Sequence, residues 1–395
     1  MLSTLAVKNK SRILLVVLDG LGGIAREKDT ELEEAYTPHL DRLAEESSCG
    51  LMDPVFPGIT PGSGPAHLAL FGYDPLKYDV GRGVLSALGI DFPLQKGDVA
   101  ARVNFATMDK EGRIVDRRAG RIPTELNQKL CDKLNERIKI PGVEIFFTPE
   151  KEHRASLVIR GKDLSEKISD TDPQKEGLPP LPPRPLEEKA TKTAEIVGEI
   201  IRQVKEVLAG EERANMVLLR GFSSLPEIPS FSQLYKMRSA CIAVYPMYRG
   251  VARLAGMEIL KCGETLKEEI QTLRRNFQDY DFFFLHYKPT DSAGEDGARE
   301  RKIKFIEEFD RNLPSILSLE PDVLCITGDH STPSPLRSHS WHPVPVLIYA
   351  RTAFRDRVKN FSETECIHGI LGKFPSLYLM SLLLAHAGRL KKFGA

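Results

Sequence analysis

The segment richest in chemical potential is Thr327-Gly328-Asp329-His330-Ser331-Thr332-Pro333, followed closely by Ser338-His339-Ser340-Trp341-His342. An adjacent aspartate and histidine offer one oxygen and one nitrogen ligand, a mixed set that suits Mn²⁺, Zn²⁺ and related divalent ions. Asp291 and Glu295, after Lys288-Pro289-Thr290, are spaced to share a face of any helix that starts at Thr290, where both could bind one cation. Asp19 precedes Gly20-Leu21-Gly22-Gly23. Gly20-x-Gly22-x-x-Ala25 has the form of a dinucleotide fingerprint. A carboxylate directly before that loop would repel a pyrophosphate, so Asp19 fits a metal ligand better. Thr60-Pro61-Gly62-Ser63-Gly64-Pro65-Ala66-His67 leads into an apolar run and places Ser63 at a helix N-terminus, exposed among amides that favour an anion. A metal on that hydroxyl would lower its pKa and make it a nucleophile. His67 reads as a packed histidine rather than a base.

Each motif also has a plainer meaning: an Asp–His hydrogen bond with surface histidines, an acidic first helical turn, a capping serine. Their recurrence after similar apolar runs favours a common site. Ile13–Leu18, Phe282–Leu285 and Val323–Thr327 are continuous apolar runs, the pattern of central parallel strands buried on both faces. They end in Asp19, in His286-Tyr287-Lys288 and in Asp329-His330, and ligands of open α/β sheets bind at such strand ends. Val344–Tyr349 is a fourth candidate strand. Helices are expected over His39–Glu46, Thr265–Phe277 and Glu300–Leu319, with Pro38 at a helix start.

The middle of the chain differs. Strands are expected over Asp98–Thr107, Val143–Phe147 and Ala155–Ile159, a proline-rich loop over 173–185, and a long helix over Glu188–Ala209. This reads as an α+β insertion that splits the α/β domain. It carries Arg102, Arg113, Arg117, Arg118 and Arg121 with Asp116 among them, while Arg82 lies between two glycines and Arg220 before one. Arginine grips phosphate and carboxylate through paired hydrogen bonds.

Composition bounds the reading. Lys+Arg and Asp+Glu are each 55 in 395 residues, and this neutral balance argues against a dominant nucleic-acid role. No apolar run approaches the ~18 residues of a membrane helix; the stretch Leu377–Ala387 is read as a buried helix. Six cysteines without a CxxC suggest a reduced, cytoplasmic protein with structural thiols.

Together these segments resemble the archaeal-type cofactor-independent phosphoglycerate mutases of the alkaline phosphatase superfamily. The matching stretches are Leu18-Asp19-Gly20, Pro61-Gly62-Ser63 through Ala66-His67-Leu68 to Gly72-Tyr73-Asp74-Pro75, and Gly81-Arg82-Gly83. They continue with Arg102–Thr107, Asp116–Arg121, Asp170–Pro173, Leu219-Arg220-Gly221, Lys288 with Asp291, Gly328–Pro333, His339-Ser340 and Pro343-Val344-Pro345. The resemblance implies an alkaline-phosphatase-like α/β catalytic domain, residues 1–78 and 260–395, with a mainly parallel sheet sandwiched by helices. An inserted α+β substrate-closing domain would span 79–259. It implies two divalent cations, Mn²⁺ first and Mg²⁺, Zn²⁺ or Co²⁺ as alternatives, and no 2,3-bisphosphoglycerate. Asp19, Ser63, Asp329 and His330 would hold one cation, Asp291 and His339 the other. Ser63 would take the phosphoryl group of 3-phosphoglycerate and return it to the other hydroxyl. Arg82, Arg102, Asp116, Arg117, Arg118, Arg121, Arg220 and Lys288 would bind this small phosphorylated substrate.

The sequence departs from the pattern at Glu295, where the family has His, at Gly64, where it has Asp, and at His342, where Asp or Asn is expected. Glu295 is expected to supply the missing ligand, or His342 to swing in. The alternatives are another metal-dependent phosphotransferase or phosphohydrolase on this scaffold, and a non-catalytic binding protein that keeps the fold. Oligomeric state is left open.

Overall fold

Apolar runs with no polar face can only be satisfied inside a sheet covered on both sides. The computed structural model describes residues 2–25, 29–78 and 80–394; residues 1, 26–28, 79 and 395 lie outside the described residues. In chain order the strands are β1 (Ile13–Leu18), β2 (Ser48–Asp53), β3 (Val99–Met108), β4 (Ile114–Asp116), β5 (Val143–Lys151), β6 (Arg154–Gly161) and β7 (Met216–Ser224). They continue as β8 (Ser239–Ala243), β9 (Glu258–Ile259), β10 (Phe282–Tyr287), β11 (Val323–Thr327), β12 (Val344–Ala350) and β13 (Gly372–Pro375). The chain divides into two compact units, 1–79 with 228–395, and 80–227.

The first unit is built on a sheet of order β13-β2-β12-β11-β1-β10-β8-β9. Strand β1 runs parallel to β10 and β11, and β10 parallel to β8; β12 is antiparallel to both β11 and β2. Every residue of β1, β10 and β11 is buried. Leu14, Val16 and Leu18 pack with Leu40, Ile270, Ile306 and Phe309 from helices Pro38–Glu45, Leu266–Asn276 and Arg299–Leu317. Helix Leu266–Asn276 begins where its sequence dictates: Thr265 and Glu268 form a reciprocal capping box. The expected α/β class and its mainly parallel sheet are therefore present. The C-terminal helix, Leu379–His386, is only half-buried, with Leu379, Met380, Leu383 and Leu384 on its inner face.

The second unit is an antiparallel sheet. Strand β3 pairs with β4, β6 and β7, and β5 pairs with β6. Val103, Phe105 and Leu157 meet Leu130, Leu134, Val197 and Ile200 from helices Thr124–Arg137 and Thr191–Val207. The chain leaves this unit at Ile228, not at residue 260 as its sequence suggested. The reason lies in β8, a short strand of small residues, Ser239-Ala240-Cys241-Ile242-Ala243, which pairs along β10 and so belongs to the first sheet.

Leu15 lies at the centre of β1, between Phe284 and Cys325. Leu15→Ala should cost about 2–5 kcal/mol by opening a cavity in a fully packed layer, measurable as a lower midpoint in urea unfolding.

Candidate metal and phosphotransfer site

Three strand ends converge. Asp19 follows β1, Lys288 and Asp291 follow β10, and Asp329 and His330 follow β11, so parallel pairing delivers all of them to one edge of the first sheet. The turn after β1 works only because residue 20 is glycine. Its φ is +63°, and a Cβ there would lie 2.5 Å from Thr332 Oγ1 and 2.8 Å from Asp291 Oδ1. No helix follows this turn directly, so the dinucleotide form of the motif has no matching structure.

Asp19, Asp291, Asp329 and His330 are all buried. Ligand atoms of Asp19, Asp329 and His330 lie within 4.8 Å of one another, as do those of Asp291, His330 and His339. Hydrogen bonds fix which imidazole nitrogens are bare. Thr332 Oγ1 gives its proton to Asp291 Oδ1 at 2.6 Å, so it accepts from His330 Nδ1 at 3.0 Å. His330 Nε2 is then a bare acceptor, 3.4 Å from Asp19 Oδ1 and 3.1 Å from Asp329 Oδ2. Those two carboxylate oxygens are buried and receive no hydrogen bond. Likewise His339 Nδ1 donates to the Pro61 carbonyl at 3.0 Å, which leaves Nε2 bare 3.7 Å from Asp291 Oδ1 and 3.8 Å from Glu295 Oε1. In the first group the carboxylate oxygens and the imidazole nitrogen converge with little hydrogen-bond donation, which is the donor set of a divalent cation; in the second, Asp291 Oδ1 already accepts from Thr332 but keeps a further lone pair, and its oxygen–nitrogen set fits a divalent cation too. His330 and His339 also stack, with ring centroids 3.7 Å apart.

Electrostatics agree with the geometry. Burial pushes Asp329 up, and the neighbouring Asp19 charge adds to it, leaving Asp329 well above the usual carboxylate range. Burial acts on Asp19 too, but the Lys288 ammonium and the His286 hydrogen bond outweigh it and hold Asp19 well below that range. Lys288 is itself held well above its ordinary value, because Asp19, Tyr248 and Asp291 overcome its desolvation.

Ser63 is the first residue of helix Ser63–Leu70, and its Oγ lies 3.4 Å from His330 Nε2. His67, one turn on, bonds the Ser63 carbonyl through Nδ1 at 2.8 Å. Burial depresses His67 to about 3, so it is a neutral packed ring. Glu295 stands at the margin: its side chain is 54% exposed and it lies outside both groups of close ligand atoms. The His342 ring bonds Ser340 Oγ at 3.1 Å and stacks on Trp341.

The arginines gather in the second unit. Arg102 stands directly opposite Arg220 across β3 and β7, and Arg154 pairs with Asn104 two residues along. The Nε atoms of Arg102, Arg154 and Arg220 are buried and have no acceptor. Burial, then repulsion from Arg154, draws Arg102 down to about 10; Arg82 and Arg220 add to that repulsion. Other expected contacts are already used. Arg117 makes a bidentate pair with Asp172 at 3.0 and 2.7 Å, and Asp116 caps the amides of Arg118 and Gly120. Arg118 and Arg121 are exposed.

Four participants escaped the sequence reading. His286 bonds Asp19 Oδ2 at 3.1 Å, Thr290 Oγ1 bonds the Asp19 carbonyl, and Tyr248 and Arg154 complete the two clusters. His286 and Thr290 lie within the quoted motifs; Tyr248 carried no signal, because it sits in the segment assigned to the insert.

A two-unit α/β protein with a carboxylate–imidazole site at its parallel strand ends is the class these features define. Among solved structures, the PH0037 protein from Pyrococcus horikoshii is 31% identical, with a TM-score of 0.84 over 98% of this chain and all of that one. The cofactor-independent phosphoglycerate mutase from Thermoplasma acidophilum is 32% identical, with a TM-score of 0.71 over 96% of this chain and all of that one. A family profile described as 2,3-bisphosphoglycerate-independent phosphoglycerate mutase matches residues 44–214. Curated relatives from Thermotoga sp. and Thermus thermophilus, each described as "Probable 2,3-bisphosphoglycerate-independent phosphoglycerate mutase", are 53% identical over the whole of this chain and 98% of theirs. The chain belongs to the 2,3-bisphosphoglycerate-independent phosphoglycerate mutase family. No helix among the described residues is long and apolar enough to cross a membrane, and all six cysteines are free.

Two predictions follow from these environments. Gly20→Ala should disrupt the site, because both the φ and the space at residue 20 exclude a Cβ; thermal unfolding should show a lower midpoint. His153, buried beside the arginines, is held down to about 4 against an ordinary 6.5, by burial and then by Arg154 and Arg102. The unfolded chain binds that proton more readily, so stability should fall as pH drops from about 6.5 to about 4. His153→Gln should flatten the melting temperature across that window.

Proposed function

We propose that this chain interconverts 3-phosphoglycerate and 2-phosphoglycerate through a phosphoserine at Ser63, with two divalent cations, Mn²⁺ by preference, and without 2,3-bisphosphoglycerate. The observation that carries the reading is the Ser63 hydroxyl 3.4 Å from a bare, buried imidazole nitrogen at the junction of two carboxylate groups. Membership of the family supports it. Asp19, Asp329, His330 and Ser63 would hold one cation, Asp291 and His339 the other, with Glu295 near enough to His339 to join. When bound, the cations would lower the pKa of the Ser63 hydroxyl and offset the charge of the phosphoryl oxygens.

The chain's own groups do the rest. Ser63 Oγ forms a bond to phosphorus as the ester bond to the glycerate O3 breaks, and the serine proton ends on the departing oxygen. The glycerate turns, and its O2 reverses the step. Lys288 would offset anionic charge on the substrate, and in the second unit Arg82, Arg102, Arg154 and Arg220 would bind carboxylate or phosphoryl oxygens, the last three each having a buried Nε without an acceptor. Excluding water protects the phosphoserine from hydrolysis. Such chemistry suits a cytoplasmic enzyme.

A coupled assay of purified protein with 3-phosphoglycerate and Mn²⁺, omitting 2,3-bisphosphoglycerate, tests the reading. Ser63→Ala should lose about 10³-fold or more of the activity, and chelation should remove it reversibly. Phosphate release without isomerisation would instead favour a phosphohydrolase, the outcome that Gly64 and Glu295 leave open. Arg220→Ala should raise KM more than it lowers kcat.

A further inference from the structure

An ammonium has three protons to give, and Lys288 gives all three within the protein. They go to Asp19 Oδ2 at 3.1 Å, to the Tyr248 hydroxyl at 2.9 Å, and to Asp291 Oδ2. Asp19 belongs to one group of close ligand atoms and Asp291 to the other, so a single lysine spans both. Its side chain is only 17% exposed. With every proton committed, it cannot also hold a substrate without first releasing a carboxylate.

The third contact differs from the other two. Tyr248 is uncharged and buried, and its ring stacks on His286 with centroids 3.6 Å apart. The Lys288 nitrogen lies 5.3 Å from the Tyr248 ring centre and 5.9 Å from that of Tyr245. An ammonium that leaves the carboxylates therefore has an aromatic surface and a hydroxyl acceptor beside it. Tyr248 comes from helix Pro246–Leu254, in the segment that returns to the first unit.

We propose that Lys288 is a built-in counter-cation that exchanges with the divalent cations, and that Tyr248 is the pivot that keeps it when it withdraws. This rests on the two-cation reading above. In the absence of divalent ions the lysine neutralises two buried carboxylates that would otherwise repel each other. Cation binding takes Asp19 and Asp291 from it, and the ammonium, retained by Tyr248, has protons free for the substrate's anionic oxygens. Cation loading and substrate capture are thereby linked through one side chain. Tyr248 acts as a positioning residue.

The two ends of this exchange predict shifts of opposite sign. Mn²⁺ titration by calorimetry, with thermal unfolding of the chelator-treated protein, reads both. Lys288→Met should bind Mn²⁺ about tenfold more tightly, the equivalent of losing one competing charge-assisted hydrogen bond, and should melt lower without Mn²⁺. Tyr248→Phe keeps the stack on His286 but removes the hydroxyl, and should bind Mn²⁺ about threefold or more weakly. Folded Lys288→Met with a Kd within about twofold of the parent value overturns the proposal, since a distant screened charge would do no more. If Lys288→Met does not fold, Tyr248→Phe decides, and an unchanged Kd there overturns it. Parent protein that binds no divalent ion overturns the two-cation reading as well, so the two failures are distinguishable.

Discussion

Three carboxylates buried at one sheet edge are the constraint on which the first unit depends. Asp19, Asp291 and Asp329 cannot all carry uncompensated charge in a low-dielectric setting. The structure answers in several ways at once. Lys288 bridges Asp19 and Asp291, Thr332 donates to Asp291, the Gly20 amide donates to Asp329 at 3.1 Å, and His286 meets Asp19. What is left over, Asp19 Oδ1 and Asp329 Oδ2, faces the bare nitrogen of His330. The remaining demand is for positive charge at a defined point, a demand that a divalent cation would fit.

That demand reaches outward into the loops. Lys302 is fully buried and bonds the carbonyls of Gly22 at 3.1 Å and Thr332 at 2.9 Å, tying the loop after β1 to the loop after β11. Its charge is met by Glu31, whose Oε1 in turn accepts the Ser334 amide at 2.9 Å. Glu363 accepts the Gly23 amide and the Thr30 hydroxyl, both at 2.8 Å. A second layer of ion pairs and hydrogen bonds thus fixes the backbone from which the site's side chains project. Ligand orientation depends on such support as much as on the ligands themselves.

The parts of the fold that sequence reveals are those whose burial leaves no alternative. Ile13–Leu18, Val323–Thr327 and Phe282–Leu285 are near-continuous apolar runs, the pattern of central strands, and their polar successors fall at one edge. Asp19, Asp329 and His330 are legible for the same reason, as the residues that follow those runs. The boundary at Ile228 is not, because Ser239–Ala243 is short and small-sided and is a strand only by virtue of pairing with β10. Tyr248 is hidden with it. Arg117 and Asp116 show a different limit: both are expected from sequence to contact substrate, whereas in the structure Arg117 pairs with Asp172 and Asp116 accepts from local turn amides. Neighbours assign those roles, and neighbours distant in sequence are not visible from composition or spacing.

The second unit carries the opposite imbalance. Arg102, Arg154 and Arg220 bring three buried guanidinium nitrogens without acceptors onto neighbouring strands, and burial, then the repulsion of Arg154, draws Arg102 down. Like charges held together in this way lower stability unless neighbouring groups compensate them. Asp170 and Asp172 stand 3.9 and 3.6 Å from Arg220, so the second unit answers part of this charge with its own carboxylates, as Lys288 does with an ammonium in the first.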